Sequence, residues 1–122
     1  MNILITGAAG FVGKNLAASL ANIRDAKDRT HPNLSVDSLY LYDTDTSPEL
    51  FEEACSHADF IFHLAGVNRT QDPQEFMRGN YGFSAVLTET LKKCGNCCPV
   101  VFASSIQATR IGRYDSEYGR SK

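Results

Sequence analysis

Three groups of residues in this chain have types and spacings that could do chemistry. Gly7, Gly10 and Gly13 recur at every third position in Thr6-Gly7-Ala8-Ala9-Gly10-Phe11-Val12-Gly13, between an apolar run and a helical pattern. So bare a backbone can approach an anion closely, and the helix that follows turns its unpaired N–H groups toward the same point. The spacing is not the usual G-x-G-x-x-G, yet its place after a first strand points to the pyrophosphate of a dinucleotide rather than to a turn alone. Tyr118 and Lys122 stand four apart and share one face if a helix begins there. A phenol, with a pKa of about 10, is a poor acid–base group at neutral pH; a neighbouring ammonium stabilises the phenolate and brings it toward the working range. Ser104 and Ser105 close an apolar run, so that Ser105 could hydrogen-bond the oxygen that Tyr118 protonates or deprotonates. Asp43 closes another run, where a carboxylate accepts hydrogen bonds from an adenosine ribose and repels a 2′-phosphate. That favours NAD over NADP, with Asp45 as a second candidate for the same work.

Each of these has a plainer structural reading: glycines end strands, a tyrosine four before a lysine is usually a solvated helix face, and Asp43 fits a turn. What separates the readings is the set of elements that must position the residues. Asn2 to Thr6 reads as a strand, and after Gly13 the positions Leu16, Leu20 and Ile23 recur at helical spacing. Arg24 to Ser38 is polar, contains Pro32 and lacks periodicity, which makes a long loop. Leu39 to Tyr42 is a second strand. Ser47-Pro48 then supplies an N-cap and a first-turn proline for a helix expected to carry Leu50, Phe51 and Ala54 inward. Asp59 to Leu64 is a third strand, apolar through its middle as a doubly covered strand requires. Asp72-Pro73-Gln74-Glu75 reads as a capping box opening a short helix through Phe76 and Met77. Phe83, Val86, Leu87, Thr90, Leu91 and Cys94 then form one face of a longer helix closed by Gly95. Pro99 to Ala103 is a fourth strand. The alternation predicts an α/β fold with a doubly wound parallel sheet, and Ser104-Ser105 and Ala65-Gly66 fall at its carboxyl edge, where ligands of such sheets bind.

Composition bounds what else the chain can be. Its 122 residues carry 12 Lys+Arg against 14 Asp+Glu, a balance with no basic block, which argues against nucleic acid or an anionic membrane as partner. No apolar run is long enough to span a bilayer and none resembles a secretory signal, so a cytoplasmic location is expected. Cys55, Cys94, Cys97 and Cys98 are expected to be reduced thiols. Cys94-Gly95-Asn96-Cys97 has the spacing of half a zinc site but no second pair follows it, so a helix end, a turn and a strand start are the preferred reading and no metal is assigned. His63 is read as a hydrogen-bonded core imidazole, and His31 and His57 as surface residues.

Taken in order, the glycines at 7, 10 and 13, His63-Leu64-Ala65-Gly66, Asn80 with Gly82, Ser104-Ser105 and Tyr118-x-x-x-Lys122 resemble the extended short-chain dehydrogenase/reductase family over nearly the whole chain. The resemblance implies a Rossmann-like fold, with residues 1–122 forming the NAD(P)-binding domain and N-terminal portion of a longer enzyme. It implies Ser105, Tyr118 and Lys122 as catalytic residues. Gly7, Gly10, Phe11, Val12 and Gly13 would be the pyrophosphate loop, Leu64, Ala65 and Gly66 a wall of the cofactor pocket, and Lys122 a holder of the nicotinamide ribose. Asn80 would anchor backbone or water near the catalytic residues; its place before the long helix also allows an N-cap. The phrases His63-Leu64-Ala65-Gly66-Val67-Asn68-Arg69 and Ser104-Ser105-Ile106-Gln107-Ala108-Thr109 look like the branch of capsular-polysaccharide reductases that act on a keto intermediate of UDP-linked N-acetyl-L-fucosamine synthesis. That implies a nucleotide-sugar substrate and hydride delivery to a sugar keto carbon, with Tyr118 donating the proton. Epimerase or dehydratase chemistry, or a non-catalytic dinucleotide-binding module, are the alternatives. That branch favours NADPH and carries a basic residue near the position of Asp43, so here the carboxylate departs from the pattern. Its members also continue into a sugar-binding part and a cupin domain. This chain is accordingly expected to be a truncated piece, inactive alone, whose unpaired sheet edge favours a homo-oligomer.

Overall fold

The computed structural model describes residues 1–109 and 116–122. Its first strand, β1 (Asn2–Thr6), is buried at every residue but Asn2, as the β-branched Ile3, Ile5 and Thr6 favour in a strand covered on both faces. Helix α1 (Phe11–Arg24) follows, then β2 (Ser38–Tyr42), α2 (Pro48–His57) and β3 (Phe60–His63). A helical stretch comes next, built of α3 (Pro73–Phe76), a π-helical turn (Met77–Gly82) and α4 (Phe83–Cys94). The chain continues with β4 (Val100–Phe102), a 3-10 turn (Ile106–Thr109) and a short α5 (Glu117–Ser121). The four strands are parallel in the order β2-β1-β3-β4. The alternation thus gives the doubly wound Rossmann-like sheet expected of it.

Side-chain alternation along β1 divides the interior into two layers. Leu4 joins Ile61, Phe51, Ala54, Cys55, Leu87 and Leu91 beneath α2 and α4. Ile3 and Ile5 face the other way, with Leu20 of α1 and Val36. Val36 belongs to the segment read as loop, and Asp37 donates its N–H to the Met1 carbonyl, so the end of that segment is tied to the sheet. Ser47 caps α2 with Pro48 in its first turn, as its sequence signal requires, and Asp72 caps α3 through the Gln74 N–H. The capping box expected there is only half made, because Glu75 accepts the Thr70 hydroxyl and the Asp72 N–H is taken by Thr70 Oγ1 instead.

Four other expectations need correction. α1 begins at Phe11, so Gly13 lies inside the helix rather than before it. Leu50, expected inward, is 53% exposed; it lines a shallow groove with Leu39 and Leu41 of β2, which among the described residues is an edge strand of the sheet. On α4 the buried stripe is Leu87 and Leu91 with Phe83 half-buried, while Val86 and Cys94 are exposed because the neighbours of α4, α2 and the sheet, lie along one side only. Asn80 is not an N-cap. Its neighbours keep right-handed helical angles from Phe76 through Gly82, so the helix does not restart there. Among the described residues no helix is long and apolar enough to cross a membrane.

Candidate active site

A cleft of about 670 Å³ opens at the carboxyl edge of β1, β2 and β3. Its floor is the turn from β1 into α1. Gly7 takes φ +73, and a Cβ there would meet the Ala65 backbone nitrogen at 2.7 Å; only glycine fits the turn against the end of β3. Gly13 lets the first turn of α1 close on that loop, since a Cβ would lie 2.2 Å from the Gly7 carbonyl oxygen. Gly10 differs. It is the N-cap, extended at φ −71 and ψ 168 with no side chain to cap the helix, and a Cβ would find only the Gly7 oxygen at 3.3 Å. What its bareness preserves is the space in front of the N-terminus of α1, whose first N–H groups have no intrahelical partner.

The opposite wall is the chain after β3. Leu64, Ala65, Gly66, Val67 and Asn68 line the cleft, with Gly79 and Phe83 behind them. Each cofactor-pocket residue expected from sequence, Gly7, Gly10, Phe11, Val12, Gly13, Asp43, Leu64, Ala65 and Gly66, lines this one cleft, apart from Lys122. Phe11 is 86% exposed, an apolar ring left at the mouth. Asp43 has a second occupation that its position in sequence did not reveal. One carboxylate oxygen accepts the Ala9 N–H at 2.8 Å and the other accepts the Thr44 N–H at 2.8 Å. It therefore clamps the glycine loop to the end of β2, with lone pairs left over for a ligand.

Tyr118 and Lys122 adjoin the cleft rather than line it. Ser116 caps α5 by accepting the Gly119 N–H, and the Gln107 backbone packs so closely that a Cβ on Gly119 would lie 2.6 Å from its oxygen. Tyr118 stacks edge-on against Phe76 and donates its hydroxyl proton to Oδ1 of Asn68 at 3.3 Å, which ties it to a lining residue. Lys122 places its ammonium against Gly66, where a Cβ would come within 3.1 Å of Nζ, and 5.8 Å from the Phe102 ring centroid. Partial burial holds its pKa below the ordinary lysine value. The Ser105 hydroxyl accepts the Gln107 N–H, and among the described residues no hydrogen bond joins it to Tyr118 or Lys122. Ser104, not Ser105, reaches α5, donating to the Lys122 carbonyl.

Asn80 gives this wall its shape. The π-helical turn carries its side chain inward to 2% exposure, where Oδ1 accepts the Val67 N–H at 2.7 Å while Nδ2 donates to the Val67 carbonyl and to Ser121 Oγ. Ser121 in turn donates to the Tyr118 carbonyl. The anchoring role is the one the structure shows. Gly66 is required beside it, since a Cβ would sit 2.7 Å from Asn80 Oδ1. Sequence reasoning passed over Asn68 and Ser121; the two glycines flanking Asn80, at 79 and 82, were the available signal for a distorted helix turned toward the site.

His63 is buried and bonded on both ring nitrogens, as read. Burial, with the Lys122 charge adding to it, pushes its pKa down to about 4. All four cysteines are free thiols, with Cys55 buried and its pKa raised to about 12 by desolvation. Among the described residues no cluster could hold a metal ion.

A glycine loop at a helix N-terminus, opening onto a cleft at the carboxyl edge of a parallel sheet, defines a dinucleotide-binding class of α/β protein. The chain belongs to the NAD dependent epimerase/dehydratase family, which it matches over residues 3–119. It is 38% identical, over all of its 122 residues, to a UDP-2-acetamido-2,6-beta-L-arabino-hexul-4-ose reductase of Pseudomonas aeruginosa, and spans 29% of that protein. Among solved structures it is similar to the capsular polysaccharide assembling protein CapF of Staphylococcus aureus, with 36% identity and a TM-score of 0.68 over 99% of this chain and 30% of that one. A structure of MoeE5 in complex with UDP-glucose and NAD matches with 25% identity and a TM-score of 0.68, over 99% of this chain and 45% of the other. The chain therefore spans less than half of each of these relatives.

Proposed function

We propose that residues 1–122 form the NAD(H)-binding part of an oxidoreductase that reduces a keto group on a nucleotide-linked sugar, in the biosynthesis of a capsular or other surface polysaccharide. The observation that carries this reading is the juxtaposition of the glycine cleft with Tyr118 and Lys122 at its Gly66–Asn68 wall. The cleft fits a dinucleotide: its volume is that of a small-molecule site, and its close backbone approaches exist only because Cβ atoms are missing. The 38% identity to a keto-sugar reductase supports the substrate class.

When bound, the nicotinamide would supply the hydride. The N–H groups at the start of α1 would hold the pyrophosphate, and Asp43, still clamping the loop, would accept from the adenosine ribose and disfavour a 2′-phosphate. Lys122 would hold the nicotinamide ribose and keep positive charge beside the phenol, Tyr118 would donate its hydroxyl proton to the substrate oxygen, and Ser105 would turn its hydroxyl to that oxygen. In the structure Tyr118 donates to Asn68, so substrate would replace that acceptor.

The rest of the substrate site is assigned to the longer protein, and the chain alone is proposed to be inactive and to associate through β4, whose Val100, Val101 and Phe102 are each more than 40% exposed. Calorimetric titration of the chain with NAD(H) and, separately, NADP(H) tests the reading. Tighter NAD(H) binding is expected; tighter NADP(H) binding overturns the part given to Asp43, and binding of neither overturns the cofactor assignment.

A further inference from the structure

His63 is a buried titratable side chain to which the proposed chemistry gives no work. Its neighbours nevertheless fix where its proton must be. Ser84 Oγ lies 2.8 Å from the Asn80 carbonyl oxygen, which can only accept, so the single hydroxyl proton of Ser84 points there. The same Oγ then offers only lone pairs to His63 Nε2 at 2.9 Å, and Nε2 must carry the hydrogen. A neutral ring has one N–H, so Nδ1 is an acceptor. It receives the Thr6 hydroxyl at 2.7 Å, while Thr6 Oγ1 accepts the Ala65 N–H at 3.3 Å. Four donors from four places in the chain thus point in one direction, Ala65 to Thr6, to His63, to Ser84, and the Asn80 carbonyl ends the series as acceptor.

The ends of this relay matter. Ala65 lines the cleft wall at the point where Gly7 packs against it. Asn80 holds Val67 and, through Ser121, the helix α5 that bears Tyr118 and leads into Lys122. An imidazolium is disfavoured in this place, because a proton on Nδ1 would turn the Thr6 hydroxyl from donor to acceptor and leave its own proton in need of a new partner. The surroundings also reject a charge: Phe83 of α4 and Phe102 of β4 lie against the ring at 5.4 and 5.5 Å, Thr6 and Ser84 are neutral, and the one charged group acting on it among the described residues is the like-charged Lys122.

We propose that His63 is a positioning residue, a neutral imidazole protonated on Nε2 that sets the spacing between Ala65 and the Asn80 anchor within the wall of the cleft that follows β3. This rests on the dinucleotide reading of the cleft. The first test does not depend on it: 15N NMR of histidine-labelled protein should show the Nε2–H tautomer alone between pH 8 and pH 5, whereas an Nδ1–H tautomer, or an imidazolium at pH 6, overturns the proposal. The second uses His63→Phe, which keeps a ring between Phe83 and Phe102, and Ser84→Ala, which removes the acceptor while barely changing volume. Under conditions where both variants are folded by circular dichroism, NAD(H) should bind roughly tenfold more weakly or worse in His63→Phe, as expected for breaking buried hydrogen bonds, and measurably more weakly in Ser84→Ala. Lowered melting temperatures with unchanged NAD(H) affinity would make the imidazole merely structural and overturn its positioning role. If the unmodified chain binds no NAD(H), the cofactor reading has failed by itself; hydrogen exchange of the Asn80 side-chain amide then decides, with roughly tenfold acceleration expected in His63→Phe and no change overturning the proposal.

Discussion

Acid should destabilise this fold well above the pH at which its carboxylates protonate, and His63 should be the reason. In the folded chain burial, then Lys122, lowers the imidazole pKa from 6.5 to about 4. The sign follows from proton counting. Between those two values the unfolded chain binds a proton on this ring that the folded chain does not, so stability is fully present above about pH 6.5 and falls as pH drops toward 4. At about 1.4 kcal/mol for each tenfold change in proton affinity, the full loss is on the order of 3 kcal/mol, a large share of the roughly 5 to 15 kcal/mol typical of a domain. His63→Phe removes the titrating group while leaving an aromatic ring between Phe83 and Phe102. Urea denaturation at half-unit steps from pH 4.5 to 7.5 would measure both proteins. The variant should be less stable at pH 7.5, because Thr6 and Ser84 lose their partner, yet its stability should vary less with pH over this range. Parallel curves for the two proteins would refute the assignment of the acid sensitivity to His63.

Two further predictions separate glycines and the acidic residue by function. Gly10→Leu should fold, since its extended backbone suits any residue and a Cβ meets only the Gly7 oxygen at 3.3 Å, but should bind no NAD(H) by calorimetry; Gly13→Ala, with a Cβ 2.2 Å from the Gly7 oxygen, should cost roughly 3 kcal/mol or more in urea denaturation. Asp43→Ala frees the Ala9 N–H from its clamp and should weaken NAD(H) and NADP(H) alike, whereas Asp43→Asn, which keeps an acceptor without the charge, should chiefly narrow the difference between the two cofactors in the same titrations.

The order of strands and helices was legible because each has a strong local signal: Ser47-Pro48 and Asp72-Pro73 start helices by chemistry that acts within a single turn. The glycine loop was legible for the same reason. Leu50 and Val86 were misread because periodicity says which residues share a face, not whether another element covers it, and that depends on sheet order. Asn80 was ambiguous because an N-cap and an inward-turned anchor want the same residue type. Only the π-helical turn between α3 and α4, a departure from the 3.6-residue period, points it at Val67. The clamp of Asp43 on Ala9 and the Asn68 partner of Tyr118 join residues 34 and 50 positions apart, a distance over which sequence pattern says nothing.

The two walls of the cleft are separate in sequence, and apolar burial alone would hold them loosely. Hydrophobic contact is non-directional: it stacks α1 on one face of the sheet and α2 with α4 on the other, but tolerates small slides between them. What resists such slides is polar. Asp43 fixes the glycine loop to β2, the Thr6–His63–Ser84 relay fixes β1 to β3 and α4, and Asn80 fixes the turn after β3 to α5. Hydrogen bonds weaken steeply with lost geometry and are costly to leave unmade in the interior, so a small shift of any wall would break several at once. Among the described residues, buried Thr6, His63, Asn80 and Ser121 therefore lie where the elements meet around the cleft, and the function proposed for it, which needs a long ligand and a phenol held in register, would demand that precision.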